Sequence, residues 1–317
     1  MLLKGINIVS TGRCLPEKVI DNDTLSTFVD TSDEWIYTRT GIKMRYKCEE
    51  EDNTFLATNA AKKALDRAKE KDNIDENDIG AVIVATTTSD NAFPSTACMV
   101  AKGLGLSQEI IAFDMSAACS GFVYGLEIMR GLLTNSSKKY GLLIGSEQIS
   151  KIMDYNDRTT CVLFGDGAGA AVIKLDESLY VHKAYASGNF EGLNCSGVGK
   201  DNNYLHMDGK AVFKAAVTAF DQAIKDALEE ANLTLEDIDH VVCHQANVRI
   251  INHVANKHKE SKDKFYVNID RYANTSAASI PIALDELYEN NKIKKGQKVL
   301  LVAFGAGFTW SSAIYTA

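Results

Sequence analysis

"ATNAAKKALDRAKEKDNIDENDI", residues 57–79, and "AVTAFDQAIKDALEEANLTLEDI", residues 216–238, follow one pattern. In each, apolar residues recur at helical spacing, then come a break and an acidic turn. Each then enters a buried-strand pattern, "AVIVATTT" from Ala81 or "HVVCHQAN" from His240. Further on, "SAACSG" at Ser116 has a counterpart in "SAASIP" at Ser276, and "FGDGAGAAVI" at Phe164 in "FGAGFTWSSAIY" at Phe304. Three matches in the same order point to an internal duplication rather than two unrelated helix–strand units. The second copy starts near residue 177, so the halves are 1–176 and 177–317. Strands alternating with helices predict an α/β protein, its parallel or mixed sheets covered by helices. Sites in such proteins form beyond the carboxyl ends of strands, where loops turn into helices.

The chain has 317 residues, enough for one large domain or two fused halves. Apolar content of 45% and charged content of 24% are ordinary globular values. No stretch approaches the roughly 18–20 apolar residues of a membrane span. The opening "MLLKGINIVSTGRCLPE" lacks the basic head, long apolar run and cleavage site of a signal peptide. The seven cysteines form no C-x-x-C pair, which argues against a zinc ribbon or a dithiol redox site. Reduced thiols in a cytoplasm are expected. A net charge of −8 argues against nucleic acid as the main partner, though not against a local basic patch.

Cys119 stands between Ala117–Ala118 and Ser120–Gly121. "EIIAFDM" before it reads as a strand, and "SGFVYGLEIMRGLL" after it as a helix apolar nearly all round, hence buried. A helix N-terminus offers partial positive charge and unpaired N–H groups, which favour thiolate over thiol. The small neighbours let a substrate carbonyl approach the backbone. The position therefore suits a nucleophile; a buried core cysteine is the alternative. A nucleophilic cysteine needs a partner brought close by the fold. Of the six histidines, His182, His206, His240, His253 and His258 lie in polar or helical surroundings expected at the surface. His244 instead follows the apolar run "HVVC" at a strand's end, where the first copy has Ala85. The loop "NTSAAS", starting at Asn274, matches the cysteine loop, so a pseudo-twofold axis would bring both to one pocket. Asn274 is otherwise an ordinary turn or cap residue.

"DTSDEWIYTRTGI", "AFPSTAC", "AACSGFVYGL", "FGDGAGAAVI", "MDGKAVFKAAV", "HQANVRII", "NTSAASIPIALDE" and "FGAGFTW" together resemble β-ketoacyl-acyl-carrier-protein synthase III, over nearly the whole chain. The resemblance implies the thiolase-like fold: two βαβαβαββ halves related by pseudo-twofold symmetry, layered α-β-α-β-α, and typically a homodimer. It implies that Cys119 is the nucleophile and that His244 and Asn274 complete a triad. The implied reaction is ping-pong. Cys119 takes the acyl group of a short acyl-CoA, usually acetyl-CoA; malonyl-acyl-carrier protein then loses CO₂ and its carbanion attacks the acyl-enzyme. No cofactor is implied beyond the CoA thioester substrate, and no metal.

The same resemblance assigns supporting residues. The backbone N–H groups of Cys119 and Ala306 would hold the oxyanion of acyl transfer. Trp35 and Arg158 would sandwich the adenine, with Arg39 as a phosphate contact. Asn247 would bond the pantetheine arm, Gly209 and Phe213 line the entrance, and Phe93 would close the acyl pocket from the dimer partner. Lys214, Gln245, Arg249 and Lys257, with His253, would dock the acidic carrier protein. The sequence departs from the family in Ala306 and Ser311, where glycine is usual, in a short stretch between Ala184 and His206, and in a long one after Lys69, "EKDNIDEND", expected as a solvated loop. Rival readings are a hydroxymethylglutaryl-CoA synthase, a starter-specialised ketosynthase of a secondary pathway, a non-catalytic ketosynthase-like subunit, and a cysteine hydrolase. Degradative thiolases use a second cysteine near the C-terminus, and "FGAGFTWSSAIYTA" has none.

Overall fold

The structure, a computed structural model, describes residues 5–197, 200 and 204–317. In the first half, β1 (Gly5–Cys14) leads through α1 (Asn53–Asp72), β2 (Ile79–Ala85), α2 (Thr96–Gly103), β3 (Ile111–Met115) and α3 (Gly121–Thr134) to β4 (Tyr140–Glu147) and β5 (Gly167–Asp176). In the second, β6 (Tyr180–Asn189) leads through α4 (Gly209–Ala231), β7 (His240–Cys243), α5 (Val248–Lys257), β8 (Phe265–Tyr266) and α6 (Ser279–Glu289) to β9 (Lys298–Gly305) and β10 (Gly307–Thr316). Both are βαβαβαββ, and their five-stranded mixed sheets have equivalent orders, β1-β5-β4-β2-β3 and β6-β10-β9-β7-β8.

The repeated helix follows from its sequence. In α1 the buried positions are Ala57, Ala60, Ala61, Ala64, Leu65 and Ala68; in α4 they are Ala216, Ala219, Phe220, Ala223, Ile224 and Ala227. These are one helical stripe used twice. Asp52 and Asp208 cap the first turns with their carboxylates. Asn73 and Asn232 end the helices in the left-handed region, at φ 53° and 51°, which asparagine tolerates better than most residues. Asp75 and Thr234 then each cap a single 3₁₀ turn. "EKDNIDEND" is thus not a long solvated loop. It is the end of α1 plus this capped turn, with Ile74 buried.

Strand residues alternate between two cores. On β2, Val82 and Val84 pack under α1 and α2, while Ala81 and Ile83 face α3 and α6. On β9, Leu300 and Val302 pack under α4 and α5, while Leu301 and Ala303 face the same central pair. The layers are therefore α1/α2, first sheet, α3/α6, second sheet, α4/α5. The central pair is buried on both sides, which explains the nearly all-apolar α3.

Two parts of the sequence match shift. The 3₁₀ turns that open the central helices are Ala118–Ser120 and Ser276–Ala278, and each begins with a left-handed residue, Ala118 (φ 46°) and Ser276 (φ 50°). Cys119 thus corresponds to Ala277, two residues from the sequence pairing of "SAACSG" with "SAASIP". Phe304 lies on β9, whereas Phe164 lies in the long loop between β4 and β5. The short stretch between Ala184 and His206 contains 198, 199 and 201–203, which lie outside the described residues.

Candidate active site

The strained turn at Ala118 lifts Cys119 off the end of β3, just ahead of α3. Gly305, at the end of β9, has Cys119 where its side chain would be: a Cβ there would sit 2.7 Å from the Cys119 nitrogen and 3.2 Å from its Cα. Only glycine allows that approach, which sets the turn carrying Ala306 against the nucleophile. Thr309 stitches the two together. Its Oγ1 donates toward the carbonyls of Ala117 at 3.0 Å and Ala306 at 3.2 Å, and Ser120 Oγ donates to its carbonyl at 3.0 Å.

His244 follows β7, its N–H held by the Val302 carbonyl at 2.7 Å. Its Nδ1 lies 2.7 Å from Ser279 Oγ, which also accepts the Gln245 N–H at 3.3 Å. With the serine proton directed at Nδ1, the ring proton sits on Nε2 and makes that atom a donor. Asn274 is pinned by two backbone bonds, its N–H to the Leu163 carbonyl and its carbonyl to the Gly165 N–H. Its Oδ1 accepts the Ser276 N–H at 2.9 Å, which leaves the amide NH₂ to donate. Cys119, His244, Asn274 and Ala306 line one cavity of about 1420 Å³.

Burial dominates the electrostatics. It pushes the Cys119 thiol up to about 12, against a hydrogen bond to Ser276 that acts the other way. Burial thus acts against the thiolate expected from a helix start, and α3 itself begins only at Gly121, two residues on. Burial also lowers the His244 imidazole to about 3, so it is neutral. Glu147, wholly buried at the end of β4, is pushed upward by burial against hydrogen bonds from Thr88, Thr87 and Ser276.

Trp35 and Arg39 line the same cavity, with Asn247, Gly209, Phe213 and Arg249. The Arg39 and Arg158 guanidinium carbons lie 4.7 and 5.4 Å from the centre of the Trp35 ring. A base between two planes needs about 3.5 Å on each side, so Arg158 must swing away to admit one. Its present partner, Asp30, is fully exposed, so that ion pair opposes the swing weakly. Asn247 caps α5, its Oδ1 accepting the Arg249 N–H at 2.8 Å. Phe213 meets His253 edge-on at 6.1 Å.

Phe93 is 86% exposed and is not among the residues lining the cavity of its own chain. Lys214, Arg249, His253 and Lys257 are exposed on α4 and α5, but Lys257 is ion-paired with Asp221. Gln245 is corrected. Its side chain is 1% exposed and committed to the carbonyls of Cys243 and Tyr266 and the Asn268 N–H, so it cannot meet a carrier protein. His182, expected at the surface, is half-buried with Nε2 3.1 Å from the Val123 carbonyl. The Ser311 hydroxyl is buried without a partner among the described residues. Sequence reading missed Glu147, Ser276, Ser279 and Thr309. The one available signal was a carboxylate ending the buried run "GLLIGSE".

No helix among the described residues is long and apolar enough to cross a membrane. Residues 113–186 match the family described as 3-oxoacyl-[acyl-carrier-protein (ACP)] synthase III, and residues 228–317 its C-terminal family. A β-ketoacyl-[acyl-carrier-protein] synthase III of Clostridium botulinum (strain Loch Maree / Type A3) is 46% identical over 98% of this chain and 98% of its own. That of Clostridium beijerinckii is 43% identical over 98% and 99%. The crystal structure of the Aquifex aeolicus 3-oxoacyl-[acyl-carrier-protein] synthase III superposes with a TM-score of 0.93, at 44% identity, covering 99% of this chain and 100% of that one. The priming β-ketosynthase of the R1128 polyketide pathway superposes with 0.91 at 30% identity, covering 99% and 96%. With that cysteine site, that paired fold and relatives of this similarity along its whole length, the chain belongs to the β-ketoacyl-[acyl-carrier-protein] synthase III family.

Proposed function

We propose that this chain condenses a short acyl-CoA primer, acetyl-CoA first among them, with malonyl-acyl-carrier protein, releasing CO₂ and CoA and starting fatty-acid synthesis. The observation that carries this reading is the meeting of Cys119, His244 and Asn274, from three loops, on one cavity large enough for a substrate arm. Cys119 is the nucleophile. The His244 Nε2–H and the Asn274 amide are neutral donors to the enolate oxygen that forms when malonate loses CO₂. Neutrality matters: a fixed cation would hold the malonate carboxylate and oppose its loss. The Cys119 and Ala306 N–H groups serve the oxyanion of acyl transfer. The first half, 1–176, brings the nucleophile; the second, 177–317, brings both donors.

Trp35, Arg39 and Arg158 take the nucleotide end of CoA, and Asn247, Gly209 and Phe213 the pantetheine path. Lys214, Arg249 and Lys257 form a basic dock for the carrier protein, weakened by Asp221. We further propose a cytoplasmic homodimer with no resident cofactor, in which Phe93 completes the neighbouring acyl pocket; its exposure supports this. The likeness to a priming polyketide ketosynthase supports a second reading, a starter-specialised enzyme. Incubation with a panel of acyl-CoAs and malonyl-carrier protein tests both. An acetyl adduct on Cys119 by peptide mass and acetoacetyl-carrier protein as product are expected. A preference for longer or branched primers selects the second reading, and no adduct on Cys119 overturns both.

A further inference from the structure

Glu147 is a buried carboxylate that the condensation chemistry above does not use. Its donors are fixed by their own partners. Thr86 Oγ1 already accepts the Asn53 side-chain amide at 3.0 Å and the Thr88 N–H at 3.1 Å, so its proton goes to Glu147 at 3.3 Å. Thr88 Oγ1 accepts the Gln148 N–H at 2.9 Å, so its proton also goes to Glu147. The Thr87 N–H adds a third, 3.1 Å from Oε2. These donors suit an ionised carboxylate, and no basic side chain is among its recorded partners. On its open side, Ser276 Oγ donates to Glu147 Oε1 at 3.1 Å and lies 3.5 Å from the Cys119 sulfur. Ser276, with left-handed backbone, thus holds its hydroxyl between the two.

We propose that Glu147, acting through the Ser276 hydroxyl, accepts the Cys119 thiol proton in the acylation half-reaction. The S–H proton passes to Ser276 Oγ as the Ser276 O–H proton passes to Glu147 Oε1. A thiolate, an intact hydroxyl and a neutral carboxyl result. The thiolate forms the S–C bond to the acyl carbonyl, the C–S bond to CoA breaks, and the proton departs from Glu147 to give CoA as its thiol.

The charge balance favours this route. A thiolate beside an ionised Glu147 would place two buried negative charges within one hydroxyl of each other. Moving the proton along the relay keeps a single negative charge and shifts it only a few ångströms. The alternative acceptor, His244, would have to carry a buried positive charge, and its Nδ1 is already engaged by Ser279. Burial opposes that charge, holding the imidazole at about 3, while it makes Glu147 a stronger base than an exposed glutamate.

The inference rests on Cys119 being the nucleophile, and the experiment separates the two claims. Acylation by acetyl-CoA is followed by rapid-quench mass spectrometry, beside CO₂ release from malonyl-carrier protein, for the parent, Glu147→Gln, Ser276→Ala and Ser276→Thr. General base catalysis is worth 10²–10⁴-fold. Glu147→Gln and Ser276→Ala are expected to slow acylation by about 10²-fold and at least ten times more than CO₂ release. Ser276→Thr, which keeps the hydroxyl, recovers most of the loss. If a folded Glu147→Gln acylates at the parent rate, or slows both steps equally, the relay is wrong. Should Glu147→Gln fail to fold, Ser276→Ala decides by the same ratio. A parent that forms no adduct on Cys119 instead overturns the nucleophile assignment.

Discussion

Cys119 and Asn274 share a cavity; the proposed function gives them different half-reactions, and substitution should separate them. Cys119→Ala should abolish acyl-enzyme formation and still release CO₂ from malonyl-carrier protein, because decarboxylation needs only the enolate donors. Asn274→Ala should still be acylated and decarboxylate about 10²–10³-fold more slowly, the cost of one oxyanion donor. Parent-rate decarboxylation by Asn274→Ala, or none by a folded Cys119→Ala, refutes that division. His244 adds a pH dependence of stability. Its imidazole titrates near 3 in the folded chain but near 6.5 when unfolded. The unfolded state takes up the proton first, so stability is lost as pH falls from about 6.5 toward 3, by at most about 1.4 kcal/mol per pH unit. His244→Gln should remove that part of the slope; parallel urea-unfolding curves for parent and variant between pH 7 and 5 would contradict it. Cys119 and His244 stood out in the sequence because each lies just beyond a strand-like run, whereas Asn274 stood out only through the match of its loop to the cysteine loop and through the family resemblance. Gln245 was misassigned because the family resemblance says nothing of side-chain direction, and here the strand's end turns it inward.

At the scale of elements, the site depends on how closely β9 passes the loop before α3. Gly145 at the end of β4 meets the Ala277 carbonyl at 2.2 Å from its would-be Cβ, as Gly305 meets Cys119. Each half thus presses a strand-end glycine on the other's loop. A methyl at Gly305 must displace the nucleophile loop, and a shift near 1 Å can cost about 10²-fold in rate. Gly305→Ala is therefore expected to lower acylation by about that factor. Gly131→Ala on α3, with nothing within 4 Å of the added carbon, should leave the rate intact and stabilise the helix by about 0.5–1 kcal/mol. Equal rates for the two variants would contradict the close-approach reading. This contact was illegible beforehand, since it joins residues on different halves. The helix α1 and its copy α4 were legible because stripe and acidic turn are all local chemistry. The two-residue slip around Ser276 arose where small residues repeat and only backbone conformation fixes the register.

Across the whole molecule, one ion network ties the halves together. Asp285 on α6 is buried, with a side chain 1% exposed. It accepts Thr11 Oγ1 at 2.8 Å and meets Arg13 of β1 and Arg67 of α1 at 2.5 Å each. Glu289, one turn on, takes the second nitrogens of the same arginines at 2.7 and 3.1 Å. The first half thereby grips the helix whose opening loop carries Asn274 and Ser276, and fixes their distance from Cys119. Asp285 is itself buried, whereas Arg13 and Arg67 are 22% and 39% exposed and reach water. Removing the carboxylate should therefore cost less than the 3–5 kcal/mol of a fully buried pair. We expect Asp285→Asn to lower stability by about 2–3 kcal/mol, seen as a reduced urea midpoint with an unchanged slope. Glu289→Gln, half-exposed and held below the usual carboxylate range chiefly by Arg13, should cost under about 1 kcal/mol. The ordering is the test, because it follows from burial and not from the number of ion pairs. If Glu289→Gln proves as damaging as Asp285→Asn, the grip lies in the exposed pair and the buried aspartate is not what couples the halves.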